Sequence, residues 1–274
     1  MDQSSQDSMT APDGPTPAMA GTGAIRTMVL VVSLREAVER RQRFQRRAVE
    51  TRIDWSFMDA CSSLHPDLSY EVDEAVVAHG RGLRPGELGC YSSHYEAWQR
   101  LLASDADQLF IFEDDVIVDW RYMEALATVD LGARGIDYLR FYFKRFHGLN
   151  YVIRHFIGRE DHVVALKGVV YGTQGYAITR SGAKRLLEHC RVVRRPIDDE
   201  LDRSWHHGVP NLAIFPSPLI EEFTASTIEG SRFDRHAVPP RLRLRRQIAI
   251  YREKLRRRLR HLTGRGKPRL ILDR

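Results

Sequence analysis

The stretch LFIFEDDVIV, residues 109–118, places three consecutive carboxylates between two apolar runs. Burying an unpaired carboxylate costs several kcal/mol or forces protonation. Glu113, Asp114 and Asp115 are therefore tolerable here only if the strand before them ends where a ligand or solvent can reach. In an open α/β sheet, ligands gather beyond the carboxyl ends of the strands. A divalent cation relieves the repulsion between adjacent carboxylates, and Mg²⁺ or Mn²⁺ prefers such oxygen ligands. In an extended segment Glu113 and Asp115 point to one side and Asp114 to the other. The pattern suggests a metal clamping a substrate diphosphate. The plainer alternative is a solvated acidic turn.

The neighbouring segments supply the sheet. TMVLVVSL (27–34) reads as a buried first strand, REAVERRQRFQRRAVE (35–50) as a helix and IDWSFMDA (53–60) as a second strand. That β-α-β opening implies a parallel, right-handed crossover. Residues 85–105 form a helix with Leu88, Tyr91, Tyr95, Trp98, Leu101 and Leu102 on one face. Residues 107–115 are the next strand and 120–129 a helix. Strands follow at 136–143, 162–166 and 168–179. A helix at 180–190 has Ser181 as its cap. Residues 198–207 form a further helix, and 211–220 a strand broken by Pro216 and Pro218. Alternation of this kind predicts an α/β fold with a mostly parallel central sheet covered on both faces.

Length and charge narrow the partners. A chain of 274 residues, 43% hydrophobic, suits one α/β domain with short appendages. No run of 18 apolar residues spans a membrane. Residues 1–24, rich in Ser, Pro, Gly and Asp, read as a disordered leader rather than a secretory signal. Three cysteines without CxxC spacing (Cys61, Cys90, Cys190) fit a reducing cytosol. Residues 241–274 carry 14 Lys and Arg against 2 acids, while the rest of the chain is net acidic at −6. In residues 241–262, Leu244, Ile248, Tyr251, Leu255, Leu259 and Leu262 share one helical face among ten cations. A basic amphipathic C-terminal helix, within a tail at 236–274, fits an anionic membrane surface. The alternative is packing on the acidic body. A nucleic-acid role is disfavoured, because no aromatic residue beyond Tyr251 interleaves with the charges.

Four motifs, in order, resemble glycosyltransferase family 25, the lipooligosaccharide and procollagen galactosyltransferase group. VLVVSLREAVERR (29–41) is similar to the family's V-x-S-L opening. GELGCYSSHYEAW (86–98) resembles its G-x-x-G-C-x-x-S-H-x-x-x-W helix, and LFIFEDDVIV its acidic motif. YGTQGYAITRSGAKRLLEHC with RPIDDEL resembles its G-T-x-x-Y segment and P-V-D. STIEGSR (226–232) is a weaker match. The resemblance covers about residues 27–232, within a catalytic domain expected at 25–235.

The resemblance implies a GT-A-type nucleotide-binding fold and an inverting, metal-dependent transfer of galactose or glucose. The donor would be a UDP-sugar and the acceptor a glycan hydroxyl of lipopolysaccharide, lipooligosaccharide or a related surface glycan. It implies Mn²⁺ (or Mg²⁺) on Glu113 and Asp115, with Asp114 beside the donor. It implies donor contacts from Ser33, Leu34, Arg35, Arg40, Ser93, His94, Gly172 and Thr173. Asp198 or Asp199 would be the base or an acceptor contact, although acids at a helix start are also favoured by its dipole. His94 alone would read as a packing residue, Gly172 as a tight turn, and Cys90 as core rather than nucleophile. Arg232 is a further phosphate-pairing candidate, more simply a surface arginine. His206 and His207 could add a metal ligand. The basic stretch 143–161 is where acceptor selection is expected. An enzyme on a lipid-linked acceptor would sit in the cytoplasm at the inner face of a bacterial membrane. Competing readings are a nucleotidyltransferase and a non-catalytic, membrane-associated cation-binding module.

Overall fold

The computed structural model describes residues 24–222 and 238–263, with side chains described up to 259. The chain opens with β1 (Thr27–Ser33), α1 (Val38–Arg47), β2 (Ser56–Asp59), β3 (Ser69–Tyr70), α2 (Val72–Ala78) and α3 (Pro85–Ala103). It continues through β4 (Gln108–Glu113), β5 (Val116–Val118), α4 (Trp120–Ala127), β6 (Tyr138–Arg140), β7 (Leu149–Arg154) and β8 (His162–Leu166). Then come β9 (Gly175–Thr179), α5 (Arg180–His189), β10 (Val192–Val193), α6 (Ile197–Leu201), α7 (Ser204–His207), β11 (Leu212–Phe215) and β12 (Leu219–Glu221). The last element is α8 (Pro240–Thr263).

Eight strands form the central sheet in the order β2-β1-β4-β9-β6-β11-β8-β7. β1 pairs in parallel with both β2 and β4, as the β-α-β opening requires. β9 runs antiparallel between β4 and β6, and β8 antiparallel between β11 and β7. With β6 parallel to β11, six of the eight strands share one direction. The sheet is thus mixed in its pairing but mostly parallel in its strand directions.

Period-two alternation decides which helices cover which face. Leu30, Val32, Leu109 and Ile111 face α3 and α5, packing against Tyr91, Trp98, Leu101, Ala183 and Leu186. Val29, Val31, Phe110 and Phe112 face the other way, onto Phe44 of α1 and Met123 and Leu126 of α4. Each large apolar side chain fully buried in this way contributes about 1.5–3 kcal/mol. Helix α3 approaches the loop after β2 so closely that a Cβ at Gly89 would lie 2.3 Å from the Cys61 carbonyl oxygen.

Several elements differ from the sequence reading. The 168–179 run is a strand only from Gly175. Before it, Gly168, Tyr171 and Gly172 take positive φ values of 81°, 56° and 96°, which no strand accommodates. Thr179, not Ser181, caps α5, its hydroxyl accepting the Gly182 N–H. Ser181 bonds Asp137 instead. Residues 198–207 split into α6 and α7. β7 lies in the basic stretch that carried no readable pattern.

The irregular 170–172 segment is held by a buried ion pair. Arg140 on β6 and Asp202 after α6 meet at 3.0 Å, both with fully buried side chains. Asp202 also accepts the backbone N–H groups of Val170 (2.9 Å) and Tyr171 (2.8 Å) and the Asn211 amide (2.9 Å). Arg140 donates to Asn211 and to the carbonyls of Tyr171 and Gly172. Removing one charge strands the other inside the protein. Asp202→Asn is therefore expected to cost about 3–5 kcal/mol. Urea denaturation checks this, and a loss below 1 kcal/mol would mean the pair does not secure the loop.

Candidate active site

A cleft of about 400 Å³ opens at the carboxyl edge of β1 and β4, where both strands run out. Ser33 and Leu34 reach it from β1, Arg40 from α1, and Cys90, Ser93 and His94 from α3. Glu113, Asp114 and Asp115 enter at the end of β4. Lys144, Gly172, Thr173, Gln174, Asp198 and Glu221 close it from the second half of the chain.

All three acids of the opening motif face this one cleft. Residues 114 and 115 form a turn rather than extended strand, so Asp114 swings to the same side as its neighbours. This corrects the alternation expected for an extended segment. Glu113 Oε1 accepts the Thr173 hydroxyl at 2.5 Å. Asp114 accepts the Ser33 hydroxyl at 2.5 Å and lies 3.4 Å from Arg40 Nε. Asp115 keeps a buried Oδ1 with no hydrogen-bond partner among the described residues. The turn is pinned from behind, because β5 pairs with β12 and the Glu222 N–H reaches the Asp115 carbonyl at 2.7 Å.

The crowding shows in the acidities. Burial first, and then the Asp115 charge, push the Glu113 carboxyl up to about 7. Burial, Asp114 and Glu221 push Asp115 up to about 6. Burial raises Asp114 as well, against the lowering effect of Ser33 and Arg40. A cluster of oxygens that resists full ionisation, one of them buried and unpartnered, suits a hard divalent cation.

His94 meets the cleft through a directed relay. Trp98 Nε1 can only donate, so the Tyr176 hydroxyl oxygen accepts its proton at 2.9 Å. The Tyr176 proton then goes to His94 Nδ1, also at 2.9 Å. That assignment leaves the imidazole proton on Nε2, a buried atom with no partner among the described residues. Burial lowers the His94 pKa to about 4, so the ring stays neutral. Ligand atoms of Cys90, His94 and Glu113 lie within 4.8 Å of one another. With its proton on Nε2, His94 offers that group a donor rather than a metal-binding lone pair.

Asp198 and Asp199 part company. Asp198 lines the cleft, its Oδ1 accepting the Asp199 N–H at 2.9 Å. Asp199 turns away to His79 (3.5 Å), Arg195 (3.5 Å) and Arg203 (3.3 Å). Burial raises its pKa, but the His79 hydrogen bond and the Arg203 and Arg195 charges outweigh that and hold it low.

A family model described as glycosyltransferase family 25 (LPS biosynthesis protein) matches residues 26–201, more than half of the chain. The chain belongs to glycosyltransferase family 25. Procollagen galactosyltransferase 1-A of Xenopus laevis is 28% identical over 63% of this chain and 30% of its own length. Lipooligosaccharide biosynthesis protein lic2B of Haemophilus influenzae is 28% identical over 58% of this chain and 62% of its own. The human protein called inactive glycosyltransferase 25 family member 3 is also 28% identical, over 63% and 31%. The chain thus spans about a third of the animal relatives and less than two thirds of the bacterial one. Among solved structures, the apo-form glycosyltransferase GlyE of Streptococcus pneumoniae aligns at 9% identity with a TM-score of 0.34, over 90% of this chain and 65% of that one. That value is too low to bear on the fold.

Of the family-motif residues, Ser33, Leu34, Arg40, Ser93, His94, Gly172, Thr173 and Asp198 line the same cleft as the three acids. Arg35 does not line the cleft; it is exposed, 3.5 Å from Asp59. The Ser93 hydroxyl is already committed, accepting the Cys61 N–H and donating to the Gly89 carbonyl. His206 bonds Glu253 of α8, and neither it nor His207 lines the cleft. Arg232 and the 226–232 match lie outside the described residues, as does the leader up to residue 23. Sequence reasoning missed Glu221 and Lys144, a 2.7 Å ion pair at the cleft wall, and Arg41, which holds the Ser33 carbonyl and Asp59. The only signal for Glu221 is an acid after a proline-broken strand.

The raised Glu113 pKa has a stability consequence with a definite sign. A carboxyl raised in the folded state favours folding at low pH, and that contribution is lost as pH rises through the folded value. The lowered His94 and His207 act oppositely over the same range, adding stability as pH rises from about 4 through the ordinary histidine value of about 6.5, so comparison with a variant isolates Glu113. Relative to Glu113→Gln, metal-free protein is therefore expected to lose stability between about pH 4.5 and 7, the ordinary and the raised values of that carboxyl. Urea midpoints at the two pH values, with chelator present, check it. A difference between the two proteins that stays constant across that range would sink the assignment.

Proposed function

We propose that the protein is a metal-dependent, inverting glycosyltransferase of GT-A type. It transfers galactose or glucose from a UDP-sugar to a hydroxyl of lipopolysaccharide, lipooligosaccharide or a related surface glycan. The observation that carries this reading is the buried, unpartnered Asp115 Oδ1 among raised carboxylates, in a cleft of nucleotide-sugar dimensions. Family membership supports the chemistry, and the names of the relatives support the sugar and the glycan class.

Asp115 and Glu113 would hold Mn²⁺ or Mg²⁺, their all-oxygen donor set fitting either. When bound, the cation neutralises charge developing on the departing diphosphate. Asp114 is engaged by Ser33 and Arg40, so its role is to fix the end of β1 and present that guanidinium to the donor. The His94 Nε2–H donates to an anionic donor oxygen without adding a titrating charge. Gly172 and Thr173 border the sugar, with Thr173 also orienting Glu113. Asp198, the acid of the 198–199 pair that faces the cleft, takes the acceptor hydroxyl proton. The acceptor oxygen bonds to the anomeric carbon as the carbon–phosphate-oxygen bond breaks, and UDP leaves with the bonding pair. Asp199 acts at one remove, held in its ion-pair network.

Helix α8 supports attachment to an anionic membrane, the inner face of a bacterial membrane being the site where a lipid-linked acceptor would lie. Among the described residues no helix is long and apolar enough to cross a membrane. α8 packs on the body through Leu242, Arg246, Ala249 and Glu253. Leu244, Ile248, Tyr251, Leu255 and Leu259 stay exposed, between 43% and 69%. The side chain of Leu262 lies outside the described residues.

Calorimetric titration of UDP with and without Mn²⁺ tests the donor reading. Binding is expected only with metal and weakened at least about tenfold in Asp115→Ala, the scale of losing a charge-assisted contact. Asp198→Asn is expected to leave that binding intact while lowering kcat by about 10²–10⁴. Metal-independent UDP binding, or none, would sink the metal–diphosphate reading. Flotation with vesicles containing anionic lipid is expected to retain the protein, and the Leu244→Asp, Leu255→Asp double variant to release it. Equal recovery of both proteins would sink the membrane reading.

A further inference from the structure

Gln174 lines the cleft although only 4% of it is exposed. Its Oε1 is buried and has no hydrogen-bond partner among the described residues. We propose that this oxygen is the specificity-determining contact for the donor sugar. It accepts the proton of one sugar hydroxyl, and Glu221, paired with Lys144, holds the amide in the orientation that does so. The inference rests on the nucleotide-sugar reading above and goes beyond it by naming the residue that reads the sugar.

The sheet order places Gln174 at the sugar end. β1 lies between β2 and β4, and β9 pairs antiparallel on the far side of β4. The start of β9 therefore meets the carboxyl edge, and the Glu113 N–H donates to the Gln174 carbonyl at 2.9 Å. The cleft runs from Ala60 and Ser62 after β2, past Ser33 and the three acids, to residues 172–174 before β9. A nucleotide sugar is also linear, with the diphosphate in its middle. Asp198 fixes which end is which. It shares a small second cavity with Lys144 and Tyr171, so the proposed base stands on the β9 side. The reacting carbon must lie within reach of that base. The sugar thus falls at the entry to β9 and the nucleoside over β1 and β2.

Glu221 decides which end of the amide faces the ligand. A glutamine amide has a donating and an accepting end, exchanged by a half-turn. Glu221 Oε1 takes the Gln174 Nε2 proton at 3.0 Å and lies 2.7 Å from Lys144 Nζ, while its Oε2 takes the Tyr142 hydroxyl at 2.9 Å. A carboxylate engaged by an ammonium group accepts and does not donate, so it faces only the NH₂ end. Oε1 is left on the other side, beside Gly172. A Cβ at Gly172 would lie 2.7 Å from that oxygen, and Gly172 itself lines the cleft. Glycine therefore leaves uncovered the side from which a hydroxyl would approach. A buried acceptor left unpaired is costly, and a sugar hydroxyl is the donor that the substrate brings to it.

Calorimetry on the full chain with Mn²⁺ present tests this. The probes are UDP, UDP-galactose, UDP-glucose, and the 2-, 3-, 4- and 6-deoxyfluoro analogues of whichever sugar binds tighter. Fluorine replaces the hydroxyl but has no proton to give. One analogue is expected to bind about tenfold weaker than its parent, or two at neighbouring positions, because an amide oxygen has two lone pairs. Gln174→Met keeps the chain length and removes the acceptor. It is expected to lose about the same factor for the parent sugar and to bind parent and sensitive analogue equally. Glu221→Gln, whose new amide can meet either end of Gln174, is expected to narrow the discrimination. Discrimination unchanged in Glu221→Gln overturns the part assigned to Glu221. In the unmodified protein, no sensitive analogue, or an equal loss at all four positions, overturns the proposal whatever the variants do. A discrimination that survives Gln174→Met overturns it as well. Failure of the unmodified protein to bind UDP itself sinks instead the nucleotide-sugar reading beneath it.

Discussion

The Arg140–Asp202 pair is the constraint on which the cleft depends. Two opposite charges, both fully buried, would be a poor bargain unless their remaining hydrogen-bonding capacity were used. Here the Asp202 carboxylate takes four contacts and Arg140 reaches Asn211 and two backbone carbonyls besides. The pair ties β6, β11 and the chain leaving α6 to the 170–172 segment. That segment must take left-handed geometry, so it cannot hold itself by a strand ladder. Its far end delivers Thr173 to Glu113, and the other partner delivers α6 with Asp198. One buried ion pair thus sets the separation between the acid that would hold the metal and the acid that would take the proton.

The electrostatics of the cleft follow from the same economy of cations. Arg40 and Lys144 approach the acids from opposite walls, each already engaged by one carboxylate. Two cations do not neutralise Glu113, Asp114, Asp115 and Glu221 together. Burial and this deficit raise the pKa values of Glu113 and Asp115, which lets protons occupy sites a cation would take. The α6 region shows the opposite arrangement. There Arg195, Arg203 and His79 surround Asp199, and against its burial the His189 hydrogen bond and the Arg195 charge hold the Glu200 carboxyl down to about 2. The first cluster is poised to exchange charge with a ligand and the second is already closed. The contrast separates Asp198, which faces the open cluster, from Asp199, which belongs to the closed one.

The sequence disclosed what periodicity and adjacency can encode. The alternating faces of β1 and β4, the parallel opening and the acids at a strand end were legible because each lies within a dozen residues. Gly-Cys and Ser-His on α3 were legible through the family motif. The cleft wall was not, because Glu221 reaches Asp115 only through the pairing of two three-residue strands a hundred positions apart. Local pattern carries no information about such a pairing. The direction of Asp114 was misjudged because two turn residues break the alternation that an extended strand would keep. The left-handed bend at Tyr171 lay hidden in a run that reads as strand and is held by a distant ion pair.

Helix α8 shows how one amphipathic pattern can serve two surfaces. Its apolar stripe was legible, yet the helix docks by a different face, in which Arg246 and Glu253 alternate with Leu242 and Ala249. Arg246 gives its protons to the carbonyls of Val76 and Val77, at the end of α2. Glu253 gathers Arg203, Trp205 and His206. These contacts orient the helix by hydrogen bonds and leave its larger side chains unburied. A helix held through its apolar stripe would have nothing left for a bilayer. Held through this second, mixed face, it keeps Leu244, Ile248, Tyr251, Leu255 and Leu259 outward among arginines. The same Glu253 joins Arg203, which joins Asp199, the neighbour of the cleft-facing Asp198. The surface that would meet lipid is therefore anchored to α6, the helix that carries the acid facing the cleft.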